Sequence, residues 1–223
     1  MTEKRPPELA VNELIDANDR AVRRRLRRAI GLPDIRSLLE FARLLANPIF
    51  WTQRVPLTDG HSVLVIPGYG AGDSHYVALR SWLRRLGYTP LSSGMKDNPG
   101  WTEEVIEDLR RRVEIGLRSS GRKVTLIGHS LGGLQAHSVA RRWPHIAGRV
   151  VALGAPLKFG GGALTPAVAI ASIYTSSDLP SQPEARESHA ENVQVRGTHN
   201  GLGVNVRVYR LLADFLSKSN QSI

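Results

Sequence analysis

A serine between two glycines is the first feature of this sequence that suggests chemistry, since Ser130 lies in Gly128-His-Ser-Leu-Gly132. The β-branched run Val124–Ile127 precedes it and apolar residues at helical spacing follow it, which predicts a strand and then a helix. A serine at such a junction forms a nucleophile elbow, because the sharp turn exposes Oγ and the glycines let the two backbones approach closely. The five-residue motif also occurs in inert turns, but the flanking strand and helix favour a serine nucleophile.

A serine hydroxyl is a weak nucleophile unless a general base accepts its proton. The chain has seven histidines that could be this base. His199 lies in the loop Gly197–Leu202, between the predicted strand 192–196 and a final amphipathic helix. Open α/β sheets place catalytic groups on loops beyond the carboxyl ends of strands, so His199 is the predicted base. A histidine that only caps the loop is the alternative. His129, beside the serine, is expected to pack within the elbow.

An acid that orients the histidine is predicted at Asp178, which follows the predicted strand 168–174 and precedes Leu179-Pro180. The proline stops further strand pairing and fixes the loop. An aspartate that bonds its own backbone in a turn is the alternative interpretation. Asp97 and Asp73 are the reserve acids, because both lie in loops near predicted strand ends, although both are upstream of the serine.

Two backbone N–H donors are needed to stabilise the oxyanion of a tetrahedral intermediate. The amide of Leu131, directly after the serine and at the start of a helix, is the first predicted donor of this oxyanion hole. The second is expected from the glycine-rich loop Pro67–Gly72, with Tyr69 as the donor and Gly70 in reserve. A phosphate-binding loop is disfavoured, because no lysine follows at the required spacing.

Together these motifs resemble the α/β hydrolases of the small bacterial lipase and esterase type, from about residue 60 to residue 217. The resemblance implies a catalytic triad in the chain order Ser130, Asp178, His199, and hydrolysis of carboxylic esters through an acyl-enzyme. Many family members have His-Gly in the oxyanion loop, where this chain has Pro67-Gly68, a change that bears on loop geometry and substrate preference. The matching segments are Pro67-Gly-Tyr69, Gly128–Gly132, Gly154-Ala-Pro156, Asp178 and Gly197–Gly201.

Other functions fit the same residues. A thioesterase, or an acyltransferase that uses an alcohol in place of water, would work through the same triad. A non-catalytic binding protein with a hydrolase-like fold is a further alternative, which the complete set of candidate residues argues against. The pattern specifies neither the acyl chain length nor the natural alcohol or thiol.

The elements that must position these residues alternate between strands and helices, which predicts an α/β fold with a mostly parallel open sheet and helices on both faces. Only residues 154–167 separate the fourth predicted strand from the fifth, so we expect a minimal cap or none. One α/β-hydrolase catalytic domain is expected over residues 59–223. The predicted strands are 62–66, 88–92, 123–127, 149–153, 168–174 and 192–196, and the predicted helices are 75–86, 102–118, 131–142 and 204–217.

Residues 1–58 precede this domain and predict a basic helical extension. Residues 8–30 place an apolar stripe on one helical face and six arginines around the rest, and a second helix is predicted between Pro33 and Asn47. These helices either dock on the catalytic domain with a solvated basic face, or contact an anionic membrane. Nucleic-acid binding is not expected, because no known binding module accompanies the arginines.

The composition of the chain limits which partners, cofactors and cellular location we expect. The net charge of +10 favours anionic partners through a broad, screened field, and it identifies no substrate. The chain has no cysteine, so disulfides and thiolate chemistry are excluded, and we expect neither a cofactor nor a metal because metal-ligand spacings are missing. No signal peptide or transmembrane segment is predicted, so we expect a cytoplasmic protein, with peripheral membrane contact as the alternative. The oligomeric state is not predicted.

Overall fold

A six-stranded sheet forms the centre of the computed structural model, which describes residues 35–51, 60–157, 162–176 and 188–218. The strand order is β2-β1-β3-β4-β5-β6, and every neighbouring pair is parallel. All carboxyl ends therefore meet at one edge of the sheet. The strands are β1 (Ser62–Ile66), β2 (Thr89–Ser92), β3 (Val124–His129), β4 (Ala147–Leu153), β5 (Ala169–Thr175) and β6 (Glu191–Val195).

Helices cover both faces of this sheet. They are α1 (Ile35–Leu45), α2 (Pro48–Trp51), α3 (Val77–Arg85), α4 (Glu103–Ser120), α5 (Leu131–Arg142) and α6 (Val206–Ser217), with short 3₁₀ turns at Asp73–Tyr76 and Asn200–Val204. Residues predicted as the start of α3 form the first of these turns. Helix α6 begins at Val206 because the Asn205 side chain accepts hydrogen bonds from the first turn.

Alternate residues of each strand feed two separate apolar cores, as the two-residue period of a strand requires. Leu64 and Ile66 of β1 pack with α4 and α5, whereas Val63 and Val65 pack with α3, α6 and the two N-terminal helices. The central strands β1 and β3 are buried along their whole length, and the edge strand β2 is not. The predicted α/β architecture, a parallel sheet between two helical layers, is confirmed.

Helices α1 and α2 belong to this packing. Leu44 and Phe50 are buried in the core that also contains α3 and α6. The indole N–H of Trp82 donates to the Ile49 carbonyl at 2.9 Å, and Arg85 Nε–H donates to the Phe50 carbonyl at 3.0 Å. The second predicted N-terminal helix is thus docked on the domain. The first, over residues 8–30, lies outside the described residues. No helix in the described ranges is long and apolar enough to cross a membrane.

Candidate active site

Ser130 lies at the junction between β3 and α5, in a strained turn. Its φ of 52° and ψ of −119° are sparsely populated, and it is the only non-glycine residue in the described ranges with a positive φ. Such a conformation costs of order 1–3 kcal/mol and persists only where the surroundings enforce it. Here the Ser130 N–H donates to the Leu153 carbonyl at 2.8 Å, and the Ser130 carbonyl accepts from Gly133 N–H at 3.0 Å. The turn presents a half-buried serine above the sheet edge.

The glycines around Ser130 are required by close backbone approach. A Cβ at Gly128 would lie 2.2 Å from the Gly132 carbonyl oxygen, and one at Gly132 would lie 2.4 Å from the Ile66 carbonyl oxygen. A Cβ at Gly68 would lie 3.3 Å from Ser130 Cβ. The end of β1 and the loop after it are therefore packed directly against the serine.

The loop Pro67–Gly72 has its amides directed to different partners. The Gly70 N–H donates to the Asn98 carbonyl at 3.1 Å. A backbone hydrogen bond joins Gly68 to the Tyr76 hydroxyl, whose pKa is raised above its usual value by burial, with the Gly68 bond acting in the opposite direction. Within the described ranges, neither the Tyr69 N–H nor the Leu131 N–H has an acceptor. Gly70, the reserve oxyanion donor, is thus occupied elsewhere.

A buried pair of side-chain amides holds this loop to α5. Asn98 Nδ2 donates to the Pro67 carbonyl at 2.8 Å and to Gln135 Oε1 at 2.9 Å, while Gln135 Nε2 donates to the Gly100 carbonyl at 2.8 Å. Asn98 and Gln135 are almost fully buried. Sequence reasoning missed both residues. The signal was Gln135 itself, a polar amide within the helix that follows the serine, whose residues are mostly buried.

His199 follows β6 and opens the 3₁₀ turn before α6. Its backbone carbonyl lies 2.9 Å from His129 Nε2, and because a carbonyl can only accept, that nitrogen of His129 carries the proton. The two imidazole centroids are 4.8 Å apart. A Cβ at Gly154 would lie 2.9 Å from His199 Nδ1. The His199 ring is therefore placed among the carboxyl ends of β3, β4 and β6, beside the residue that precedes Ser130.

A glutamate of α1 contacts the histidine loop directly. Glu40 Oε1 accepts from the Thr198 backbone N–H at 2.8 Å and from Thr198 Oγ1 at 3.2 Å, and Glu40 Oε2 accepts from Asn205 Nδ2 at 3.0 Å. The Glu40 residue is only 8% exposed. Sequence reasoning missed this contact. An acidic residue one turn before the buried Leu44 was the available signal.

The three candidate acids occupy different places. Asp178 lies outside the described residues. The strand that precedes it, β5, ends at Thr175 and lies between β4 and β6 in the sheet. The Asp73 carboxylate is committed to the loop after β2, where it accepts from Ser93 N–H at 3.1 Å and Gly94 N–H at 2.9 Å. Asp97 is exposed.

The contacts of Asp73 also lower the pKa of its carboxyl group. Burial raises its pKa, but hydrogen bonds from Ser92 and Ser93 and the charge of Arg80 outweigh burial, so the net pKa lies below its usual value. Arg80 Nη1 lies 3.0 Å from Asp73 Oδ1. The loop after β2 lies at the opposite edge of the sheet from β6, the strand that precedes His199.

A metal site is not formed by the described residues, because they contain no group of three or more potential ligand side chains.

Comparison by sequence gives no assignment: no protein-family model and no curated protein matches this chain.

Comparison by structure identifies the fold. A monoacylglycerol lipase from Paleococcus ferrophilus is similar at a TM-score of 0.56 and 14% identity, over 74% of this chain and 96% of that one. An α/β-hydrolase enzyme from a lagoon-sediment metagenome matches at 0.51 and 14%, over 74% and 94%. Dienelactone hydrolase from Anabaena variabilis matches at 0.50 and 19%, over 74% and 87%. With its parallel sheet and its elbow between β3 and α5, this chain has the α/β-hydrolase fold.

Proposed function

We propose that this protein is a serine hydrolase that cleaves carboxylic esters, as a lipase or esterase, through an acyl-enzyme on Ser130. The observation that carries the proposal is the strained turn at Ser130, with φ of 52° at the exit of a buried strand. Strain of this kind is retained where function needs it. The His199 ring, packed at the same strand ends, supplies a base in the neighbourhood of this serine.

The reaction follows from the roles of these groups. His199 accepts the Ser130 hydroxyl proton as Oγ attacks the ester carbonyl, and Asp178 holds the imidazole in the required tautomer and stabilises the imidazolium. His199 then donates that proton to the leaving alcohol. A water molecule, activated by the same histidine, attacks the acyl-serine ester, releases the carboxylic acid and restores the free serine.

The oxyanion of each tetrahedral intermediate is assigned to the backbone amides of Tyr69 and Leu131. Two facts support this choice. Within the loop after β1, the Gly68 and Gly70 backbones are engaged with Tyr76 and Asn98, which leaves the Tyr69 N–H as the available donor. The Leu131 amide begins α5, where the helix dipole also favours negative charge.

The proposal is tested with a fluorophosphonate probe and p-nitrophenyl esters from acetate to palmitate. Ser130→Ala should abolish labelling and lower kcat by roughly 10⁴-fold or more, because the nucleophile is lost. Ser119→Ala, an exposed serine on α4, is the matched control and should behave as the wild type. Ester turnover that persists in a folded Ser130→Ala protein would remove the assignment. The ester panel separates a short-chain esterase from a lipase.

Acyl transfer is distinguished from hydrolysis by product ratios. A thioesterase or acyltransferase would use the same three residues, so labelling alone does not separate them. Added alcohol acceptor should leave the acid as the main product if water is the natural acceptor. A folded wild-type protein that neither labels nor turns over would instead indicate a binding protein.

Contact with an anionic membrane is proposed for the surface formed by α1 and α2. Five large apolar side chains of these helices are exposed, with Ile35 at 71% and Trp51 at 59%, and the others are Leu38, Leu39 and Leu45. Contiguous exposed apolar groups mark interaction sites. Arg36 and Arg43 lie on the same helix, and the chain carries a net charge of +10. This combination of apolar and cationic groups matches an anionic lipid surface.

Vesicle co-sedimentation tests this surface. Replacing both Leu38 and Leu39 by Ser should reduce sedimentation with phosphatidylglycerol vesicles several-fold. Ile115→Ser is the control, because Ile115 is 53% exposed on α4, on the opposite face of the sheet. Equal sedimentation of both variants would show that α1 does not contact the lipid.

A further inference from the structure

The loop that carries His199 is anchored to an element outside the sheet. Glu40 lies on α1, yet three donors of the histidine loop and its flank converge on its carboxylate: the Thr198 N–H, the Thr198 hydroxyl and the Asn205 amide. Each is a donor in this arrangement, and an ionised carboxylate is an acceptor at both oxygens. Hydrogen bonds to a charged acceptor are stronger than neutral ones.

The loop also closes tightly around this carboxylate. A Cβ at Gly197 would lie 3.0 Å from Glu40 Oε2, and one at Gly201 would lie 2.4 Å from the same atom. The Gly201 N–H donates to Thr198 Oγ1 at 3.1 Å. The hydroxyl group that donates to Glu40 therefore also closes the turn. Both ends of the loop are therefore fitted to the side chain of residue 40.

A second anchor holds the backbone two peptide units further along the chain. The Thr198 N–H is held by Glu40, and the carbonyl of the next residue, His199, accepts from His129 Nε2 at 2.9 Å. Fixing the backbone at the residue before His199 and directly after its Cα limits the directions in which its side chain can leave the loop. His129 belongs to the elbow strand, whereas Glu40 belongs to α1.

We propose that Glu40 is a positioning residue, whose carboxylate holds the loop 197–201 in the conformation that aims the His199 imidazole at Ser130. It acts through the loop and does not touch the substrate. The catalytic consequence rests on the serine-hydrolase function proposed above, while the anchoring of the loop is measurable without it. An N-terminal helix outside the sheet thereby takes part in forming the active site.

Glu40→Gln tests the role of the carboxylate separately from the size of the side chain. The amide keeps the size of the side chain but turns one acceptor oxygen into an NH₂ donor, which must then face Thr198 or Asn205, both donors already. Misplacing a catalytic group by about 1 Å can cost on the order of 100-fold in rate. We expect kcat and the rate of fluorophosphonate labelling to fall about 10- to 100-fold, with KM nearly unchanged, because substrate contacts remain.

Two controls separate positioning from general stability and from charge. Leu44→Ala removes buried packing one turn along the same helix and leaves the Glu40 carboxylate in place. Glu104→Gln makes the same chemical change at an exposed position on α4. All proteins are full length and are assayed well below the melting temperature of every variant. Both controls should label within about 2-fold of the wild type.

Hydrogen exchange of the Thr198 and Gly201 amides is measured on the same proteins. The proposal expects faster exchange at both amides in Glu40→Gln, together with slower labelling of Ser130. Wild-type exchange and labelling in Glu40→Gln would overturn it, as would an equal loss of labelling in Leu44→Ala. Absence of labelling in the wild type would overturn the proposed hydrolase function, and exchange would still show whether Glu40 anchors the loop.

Discussion

Ser130 is held in its strained conformation by the glycines and carbonyls around it. Its amide and carbonyl are both bonded, to Leu153 and Gly133, and Gly132 brings α5 against the end of β1. Tight packing around Ser130 enforces its unfavourable φ, and it leaves no room for a side chain at the neighbouring glycines. A small change at one of these glycines should therefore displace the serine.

Gly132→Ala should be strongly destabilising and should abolish ester hydrolysis. The new Cβ would lie 2.4 Å from the Ile66 carbonyl oxygen and 2.5 Å from the Pro67 carbonyl oxygen, which are backbone atoms that cannot rotate away. We expect a cost of roughly 1–3 kcal/mol or more in the free energy of unfolding. Chemical denaturation and a p-nitrophenyl acetate assay measure the two effects.

Gly148→Ala is the matched control for this substitution. The nearest atom to its Cβ would be Lys123 Cβ at 3.1 Å, so the neighbouring chain needs to shift by only a few tenths of an ångström. It lies near the start of β4, away from the carboxyl ends of the strands. If both alanines behaved alike, close backbone approach would not explain the glycine at position 132.

At the scale of elements, polar side chains connect the loops of the site to helices. The amides of Asn98 and Gln135 join the loop Pro67–Gly72 to α5, and Asp73 joins the turn before α3 to the loop after β2. Each connection is buried or half-buried, where an unpaired polar group is costly. These contacts therefore help to fix the geometry of the two loops.

Gln135→Leu should destabilise the protein and lower kcat. The substitution conserves approximate volume but leaves Asn98 Nδ2 and the Gly100 carbonyl each short of a partner. An unsatisfied buried polar group costs roughly 1–3 kcal/mol. Thermal unfolding should show a lower Tm than for Gln194→Leu, an exposed amide on β6. An unchanged Tm and kcat would show that the amide pair does not hold the loop Pro67–Gly72.

Asp73→Asn should lower the free energy of unfolding at neutral pH and make it less dependent on pH in the acid range. Because the folded-state pKa of Asp73 lies below its usual, unfolded-state value, its stabilisation is present above that usual value and is lost as pH falls through the folded-state pKa. We expect a loss of about 1 kcal/mol at pH 7 that disappears at low pH. Urea unfolding at several pH values measures it, with the exposed Asp97→Asn as control. A pH-independent difference would contradict this origin.

Sequence patterns located most elements to within about two residues, because hydrophobic periodicity and turn residues are local signals. Strand β1 was predicted at its observed bounds, and α5 likewise. Glu40 and Asn98 were not predicted, since their partners are distant in sequence: Glu40 and Thr198 are separated by 158 positions. Pairings of this kind depend on how helices dock, which the local pattern does not encode.

At the scale of the whole molecule, α1 and α2 complete one of the two cores. Leu44 and Phe50 cover a cluster in which the rings of Trp82 and Tyr209 lie 4.7 Å apart. Phe50 is also in ring contact with Tyr209, at 6.2 Å between centroids. The sheet and its later helices would expose this apolar surface without them. A chain segment that precedes the sheet therefore contributes both packing and, through Glu40, a contact to the histidine loop.

A chain beginning at residue 60 should be much less stable than one beginning at residue 35. The shorter chain loses the buried Leu44 and Phe50 side chains, each worth about 1.5–3 kcal/mol of apolar burial. For a protein of this size, the combined loss should lower Tm by about 10 °C or more. It also leaves the Trp82 indole N–H without the Ile49 carbonyl, which adds to the loss. The chain beginning at residue 35 keeps all of these contacts and is the reference for the loss, with the full-length protein measured beside it. Differential scanning calorimetry compares the three chains, and equal melting of the two truncated proteins would show that α1 and α2 are dispensable for the fold.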